Sequence, residues 1–321
     1  MGGSNAPSST VSGALEAARE LGIESVLVGD KKTLQAELAS QGAGQSLEIV
    51  HASEVIAMGE HPAEALRKKK HSSVKIAAQL VRDGEAGAMV SMGNSGATMA
   101  AGVLITGRVE GVLRPALAVM LPGVNGDTLL LDVGANSDCS PDNLRQFAVM
   151  GSAYLKTVLG IDAPSVGQLN MGEEEGKGNQ LAIDSEKLLK ESPINYHGNV
   201  EGVDLFRSIV DIAVCDGFTG NVALKVAEGV GDFALGTLGT EIKTSLLSRL
   251  GALALRPSLK KIAKSFDYTE RGATPLLGLR GLILIGHGRS NAKAVTNAII
   301  QAKKAVDSQL AIRVASELVS N

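Results

Sequence analysis

Two kinds of apolar run alternate along most of the chain. Short unbroken runs bounded by glycine, asparagine or proline read as buried strands, and longer stretches with apolar residues every three or four positions read as helices. The strands expected are Ser25–Asp30, Leu47–Val50, Ala86–Gly93, Pro115–Pro122, Thr128–Ala135, Ser165–Gly172, Ile194–Val200, Ile209–Cys215 and, last, Gly281–Gly288. Helices are expected over Ala63–Gly84, from near Ser95, over Pro141–Leu159 and Gly178–Glu191, and over Ser290–Ser316 at the end. Pro115–Pro122 and Thr128–Ala135 are parted by the turn signal Gly123-Val124-Asn125-Gly126-Asp127, which predicts a hairpin set among parallel strands. Alternation of this kind argues an α/β fold: a mostly parallel sheet covered by helices on right-handed crossovers. No repeat or low-complexity linker interrupts it, so residues 1–321 read as one continuous domain with an insertion at 241–266.

That insertion breaks the alternation. Leu246, Leu247, Leu250, Leu253, Leu259 and Ile262 mark apolar faces interrupted at Pro257, while Lys243, Arg249, Arg256, Lys260, Lys261 and Lys264 face one acid, Glu241. A basic amphipathic helix pair can lie on an anionic membrane surface, or pack as a hairpin against a twofold mate. Composition sharpens the rest. Aromatic residues make up 2% of the chain and tryptophan is absent, so the core is aliphatic with alanine and glycine at close approaches. A net charge of −3 argues against a general nucleic-acid face. Two distant cysteines, Cys139 and Cys215, and five scattered histidines form neither a disulfide framework nor a zinc pattern, which fits a reducing cytoplasm and no structural metal. No signal peptide and no membrane-spanning run is visible.

Candidate chemistry gathers where predicted strands end. Polar, glycine-rich corners follow five of them: Met92-Gly93-Asn94-Ser95, Gly134-Ala135-Asn136-Ser137, Asn170-Met171-Gly172 running into Glu173-Glu174-Glu175-Gly176-Lys177-Gly178, Asp216-Gly217-Phe218-Thr219-Gly220-Asn221, and His287-Gly288-Arg289-Ser290-Asn291. One such corner is ordinary turn and cap chemistry. Five together describe a cleft of neutral donors suited to an oxyanion or a phosphate. Neither a dinucleotide fingerprint nor an NTP-binding loop is present. Lys177, between two glycines, can offer phosphate a point charge or neutralise the acidic run before it. Cys215 could be a thioester nucleophile, but a strand interior without a neighbouring histidine reads as a small buried hydrophobe. Asp216 can orient a cleft group or cap the next helix, and Arg67-Lys68-Lys69-Lys70-His71 can meet an acidic partner or be a solvated face.

Assembled, these stretches resemble the phosphate acyltransferase family of bacterial phospholipid synthesis. The resemblance runs from Met1 to about Ala302 through "MGGSNAP", "SMGNSGATMA", "LLLDVGAN", "NMGEEEGKGN", "VEGVDLF", "VCDGFTGNVALK", "PLLGLRG" and "HGRSNAKA". It implies a homodimeric three-layer α/β/α fold similar to phosphate acetyltransferases and isocitrate-dehydrogenase-type enzymes. The implied reaction moves a long acyl chain from acyl-carrier protein onto inorganic phosphate, without metal or organic cofactor. The implied setting is cytoplasmic and peripheral to the membrane, where a glycerol-phosphate acyltransferase takes the product. On this resemblance Lys177 and Asn221 are catalytic, with Lys177 meeting anionic charge and Asn221 donating to the thioester carbonyl. Asn94, Ser95, Asn136, Asn170 and Asp216 are further substrate contacts, as are His287, Ser290 and Asn291. Leu246, Leu250, Leu253, Leu259, Lys260 and Lys261 would form the membrane or partner surface. Rival readings are a short-chain phosphotransacylase using acyl-coenzyme A and a membrane-surface scaffold without catalysis.

Two departures from the family pattern carry expectations. Family members open with a strand and an aspartate before Asn-Ala-Pro; here Met1-Gly2-Gly3 comes first and Ser4 holds the aspartate position. Strands beside the missing one should therefore have unpaired edges. The family's Gly-Gly-Ala-Pro reads Gly272-Ala273-Thr274-Pro275, one glycine fewer in an expected cleft loop.

Overall fold

A computed structural model describes residues 1–43 and 46–319. Ten strands are found among them: β1 (Val26–Gly29), β2 (Glu48–His51), β3 (Ala88–Ser91), β4 (Ala116–Pro122), β5 (Asp127–Leu131), β6 (Ser165–Leu169), β7 (Asn195–Val200), β8 (Ile212–Val214), β9 (Ala273–Leu277) and β10 (Leu282–Gly286). Eight form one sheet in the order β3-β10-β9-β4-β5-β8-β6-β7. β3 and β10 are parallel, as are β5, β8, β6 and β7. The pairs β10–β9, β9–β4 and β4–β5 are antiparallel. The predicted hairpin is β4–β5, and it lies mid-sheet.

The unbroken apolar run in β5 explains the layers. Leu129 and Leu131 point into a core with Leu144, Phe147 and Met150 of the helix Pro141–Tyr154. Leu130, between them, points the other way, into a core with Leu205, Ala213 and Cys215 against which Ala223 and Leu224 of the helix Gly217–Lys243 pack. A strand covered on both faces needs apolar residues at every position, which is why it shows no alternation. The result is the three-layer α/β/α arrangement expected.

Local departures have local causes. The helix expected over Ala63–Gly84 is two, Pro62–Lys68 and Ser73–Arg82. Between them the backbone extends at Ser72, which bridges to Glu54, while the His71 amide donates to the Glu54 carboxylate. The final helix breaks likewise, into Ala292–Asp307 and Leu310–Val319, with Gln309 at φ 54° between them. β9 is a strand that the run pattern missed. It holds Ala273-Thr274-Pro275 of the altered stretch, with Gly272 just before it, so the expected cleft loop is corrected: Ala273 opens a strand. The glycine that is kept, Gly272, has φ +75° and would bring a Cβ to 2.3 Å from the Ala298 nitrogen.

β1 and β2 form a separate two-stranded parallel sheet. Among the described residues, β1 has one free edge and β3 another. Between them lies a cavity of about 400 Å³, lined by Val26, Leu27 and Val28 on one side and Ala88 to Ser91 on the other. Met1 and Gly2 stand at its mouth, the Met1 ammonium 3.5 Å from the Val28 carbonyl and lowered in pKa by burial.

The 241–266 segment is helical. The helix Gly217–Lys243 runs into it, followed by Leu246–Ala254 and Arg256–Phe266, with Pro257 in the first turn of the last, where a missing N–H costs nothing. Neither of the two shorter helices contains a buried residue.

Candidate active site

Strand direction sorts the predicted corners. β3, β10 and β4 run one way and the other five strands the opposite way. The corners after β5, β6 and β8 therefore leave one edge of the sheet, carrying Asn136, Asn170, Lys177, Asp216 and Asn221. Those after β3 and β10 leave the other, carrying Asn94, Ser95, His287, Ser290 and Asn291. The five corners therefore leave the sheet at two ends, although Lys225, one turn beyond Asn221, is near enough to His287 to act on its charge. The reason for the two ends is the antiparallel β9 and β4, which reverse the sheet between its halves.

At the first edge, β5 ends in a tight loop and β8 in a helix start, and the two interlock. The Gly217 amide donates to the Asn136 carbonyl at 2.8 Å. Asp216 caps the helix, accepting from the Thr219 amide at 2.9 Å and its hydroxyl at 2.7 Å. A Cβ at Gly220 would stand 1.9 Å from the Asp132 carbonyl oxygen, so only glycine lets the helix come this close. One turn on, Asn221 is exposed, and its side chain makes no hydrogen bond among the described residues. A Cβ at Gly134 would lie 3.6 Å from it, which fixes Asn221 beside the β5 loop.

Lys177 sits in the loop after β6, the strand next to β8. The flanking glycines both have positive φ, +77° at Gly176 and +100° at Gly178, as its tight setting predicts. Asn170 donates to the Lys177 carbonyl at 2.9 Å, the Asn199 amide to the Glu174 carbonyl at 3.2 Å, and Glu186 accepts from the Gly176 amide at 3.2 Å. The loop is pinned while the lysine side chain stays half exposed, 3.6 Å from the Glu174 carboxylate. Such an exposed pair is worth at most about 1 kcal/mol, so an incoming anion can displace it.

Several of the predicted contacts also have partners within the fold. Asn136, 6% exposed, spends both amide hydrogens on the Pro115 carbonyl and the Asp132 carboxylate. The Asn170 side chain is committed to Lys177 and to the Met171 amide. Asn94 caps its helix and donates to the carbonyls of Ala57, Met58 and Glu60. Asn291 caps the helix Ala292–Asp307. Glycine-asparagine spacing alone could not separate such caps from a free amide, because burial decides it.

At the second edge the first residues thread between the two corners. The Ser4 amide donates to the Gly288 carbonyl at 2.7 Å, and the Asn5 side chain to the Arg289 and Ser290 carbonyls. His287 packs tilted against Tyr268 with ring centroids 5.3 Å apart, and partial burial together with Arg289 and Lys225 lowers its pKa. The Ser290 hydroxyl is buried without a partner among the described residues, and Ser95 is exposed. Sequence reasoning passed over Asp132. It is fully buried and receives five hydrogen bonds, and its place in "LLLDVGAN" was the signal.

Neither cysteine has the setting of an activated thiol. Cys215 is 3% exposed, and burial with Asp216 and Asp132 nearby raises its pKa far above a free thiol's. Burial pushes Cys139 up to about 11. No group of metal-ligating side chains gathers among the described residues.

A mostly parallel sheet covered by helices on both faces is an α/β/α fold, one that solved phosphotransacetylases share. A phosphotransacetylase from Streptococcus pyogenes superposes with a TM-score of 0.64 at 16% identity, covering 94% of this chain and 92% of its own. A branched-chain phosphotransacylase from Enterococcus faecalis gives 0.55 at 13% identity, covering 95% and 96%. Residues 1–313 match the family described as fatty acid synthesis protein. Among curated proteins, the phosphate acyltransferase of Citrifermentans bemidjiense is 52% identical over 93% of this chain and 85% of its own length. That of Pelotomaculum thermopropionicum is 49% identical over 100% and 94%. The chain belongs to the phosphate acyltransferase family.

Proposed function

We propose that this protein transfers a long acyl chain from the thioester of acyl-carrier protein to inorganic phosphate, giving an acyl phosphate for phospholipid synthesis. The observation that carries the reading is the placement of Lys177 and Asn221 after the neighbouring strands β6 and β8, one a cation held only by an exposed contact to Glu174, the other an amide without a hydrogen bond among the described residues. Phosphate is itself the nucleophile. Its oxygen attacks the thioester carbonyl carbon while Lys177 holds its charge and Asn221 donates to the carbonyl oxygen as that oxygen becomes an oxyanion. The C–S bond then breaks, the thiol leaves with the proton that phosphate gives up, and the acyl phosphate departs. No side chain need be acylated, in keeping with two thiols held protonated by burial.

The surroundings support a peripheral, cytoplasmic setting. Leu246, Leu247, Leu250 and Leu253 are exposed beside Lys260 and Lys261, and no described helix is long and apolar enough to cross a membrane. Leu259 is half-buried and contributes less. A second copy would cover the exposed Phe218, Val222, Val226 and Val230 on the helix Gly217–Lys243, giving a homodimer of single-domain chains with 241–266 as the projecting part. Arg67 and Lys70 on the basic run suit an acidic carrier protein, while Lys68 and Lys69 are tied to Glu64 and Glu60.

The test is acyl phosphate formation, trapped as hydroxamate, with acyl-carrier protein or coenzyme A thioesters as donor. The carrier-protein thioester is expected to be the better substrate, and turnover should require phosphate. Lys177→Ala and Asn221→Ala should each lower turnover about 100-fold or more with an unchanged melting temperature. A variant that keeps full turnover takes its residue out of the mechanism. No phosphate-dependent turnover at all would leave the scaffold reading.

A further inference from the structure

The Asp132 carboxylate is an unusual thing to keep in an aliphatic core. It is 0% exposed and has no lysine or arginine partner among the described residues. Its Oδ1 accepts from the amides of Leu117 at 3.0 Å, Gly134 at 3.2 Å and Ala135 at 3.0 Å. Its Oδ2 accepts from the Asn136 amide at 2.7 Å and the Asn136 side chain at 2.8 Å. An unpaired buried ion seldom adds net stability, since apolar replacements serve a core as well or better. What it can do is fix one geometry. Five donors converging on two oxygens define the loop 134–136 in a way no neutral side chain can, because an amide in that place would turn N–H against N–H.

That loop is the bearing for the helix that carries Asn221. The Asn136 carbonyl holds the Gly217 amide at 2.8 Å, and a Cβ at Gly217 would stand 2.8 Å from Asp132 Oδ2. The carboxylate thus lies against the helix N-terminus, where a negative charge is favoured. Gly134, whose amide Asp132 receives, is the residue against which Asn221 rests.

We propose that Asp132 is a positioning residue for the acyl-transfer site: by anchoring the 134–136 loop it sets the place of the helix start and aims the Asn221 amide at the reacting carbonyl. This rests on the acyl-transfer reading above. The role predicts an effect on the chemical step in place of a general loss of binding. Asp132→Asn, folded, should lower kcat at least about tenfold while the KM for phosphate stays within about twofold. Asn221→Ala should cost far less in the Asp132→Asn background than alone, since an amide already misaimed has little left to lose.

The experiment is a double-mutant cycle of Asp132→Asn and Asn221→Ala on the full chain, reading kcat, KM and melting temperature for all four proteins. Coupling of the two losses in kcat supports the proposal. Additive losses, or a folded Asp132→Asn with unchanged kcat, overturn it, because a merely structural carboxylate would lower melting temperature without coupling to Asn221. If Asp132→Asn gives no cooperative melting, the same cycle is run with Asn136→Ala. That change removes one of the five donors but keeps the carbonyl that holds Gly217, and a weaker coupling is expected; its absence overturns the proposal. A wild-type chain that makes no acyl phosphate defeats the acyl-transfer reading and this one together. An active chain with additive variants defeats this one alone.

Discussion

The first turn and the far half of the helix Gly217–Lys243 share a backbone and almost nothing else. At its start Gly217 and Gly220 are buried against the Asp132–Asn136 loop, with no room for a side chain. From Val222 onward the helix carries an exposed apolar stripe through Val226 and Val230, with Phe233 73% exposed, and the two helices that follow bury nothing.

 The same hydrophobic content thus has opposite fates. Near the sheet it is closed over by the fold, and beyond it the fold offers no cover, so apolar surface of that extent marks a place where something else must sit. On the proposed function, rigidity would serve the end that aims a donor at a reacting atom, and exposure the end that meets a surface.

The sharpest break of this contrast is a methyl group placed at each end. Gly220→Ala would drive a Cβ to 1.9 Å from the Asp132 carbonyl oxygen, a backbone atom that cannot swing aside. A loss of about 1–3 kcal/mol in urea denaturation is expected, with turnover falling as the helix start is pushed away. In the hairpin, Leu246→Glu with Leu250→Glu should abolish co-sedimentation with anionic vesicles, while stability moves by no more than about 0.5 kcal/mol, since both leucines are exposed. Vesicle binding that survives the pair would hand the stripe to another partner. At Gly229, in the exposed part of the same helix, nothing lies within 4 Å of a new Cβ. Gly229→Ala should therefore stabilise, by about 0.5–1 kcal/mol, and an equal loss at both glycines would erase the contrast. The smallest signal is chemical. With its thiol raised to about 11 by burial, Cys139 should alkylate slowly at neutral pH and accelerate as the pH climbs toward that value. Rapid labelling at pH 7 would show the edge of the sheet to be open.

Much of the architecture was legible because burial on two faces leaves a mark in one dimension. β5 could be read from Leu129-Leu130-Leu131, and the hairpin from the turn signal before it. β9 could not, since Ala273-Thr274-Pro275 contains a proline and a weak apolar pattern, and its antiparallel neighbours are far away in sequence. The site was half legible. Lys177 between its glycines and Asn221 after the β8 strand stood out by motif, yet Asn94, Asn136 and Asn170 looked the same on paper and are occupied within the fold.

By itself the sequence determined the elements, the aliphatic core, the polar ends of the strands and the basic amphipathic hairpin, because each is a matter of local pattern and chemistry. Only the tertiary structure decided which corners share an edge, which asparagines remain free, and that a carboxylate in the middle of "LLLDVGAN" lies beneath them. Those outcomes depend on strand direction and on contacts between residues such as Asp132 and Gly217, far apart along the chain, and no local pattern encodes a distance of that kind.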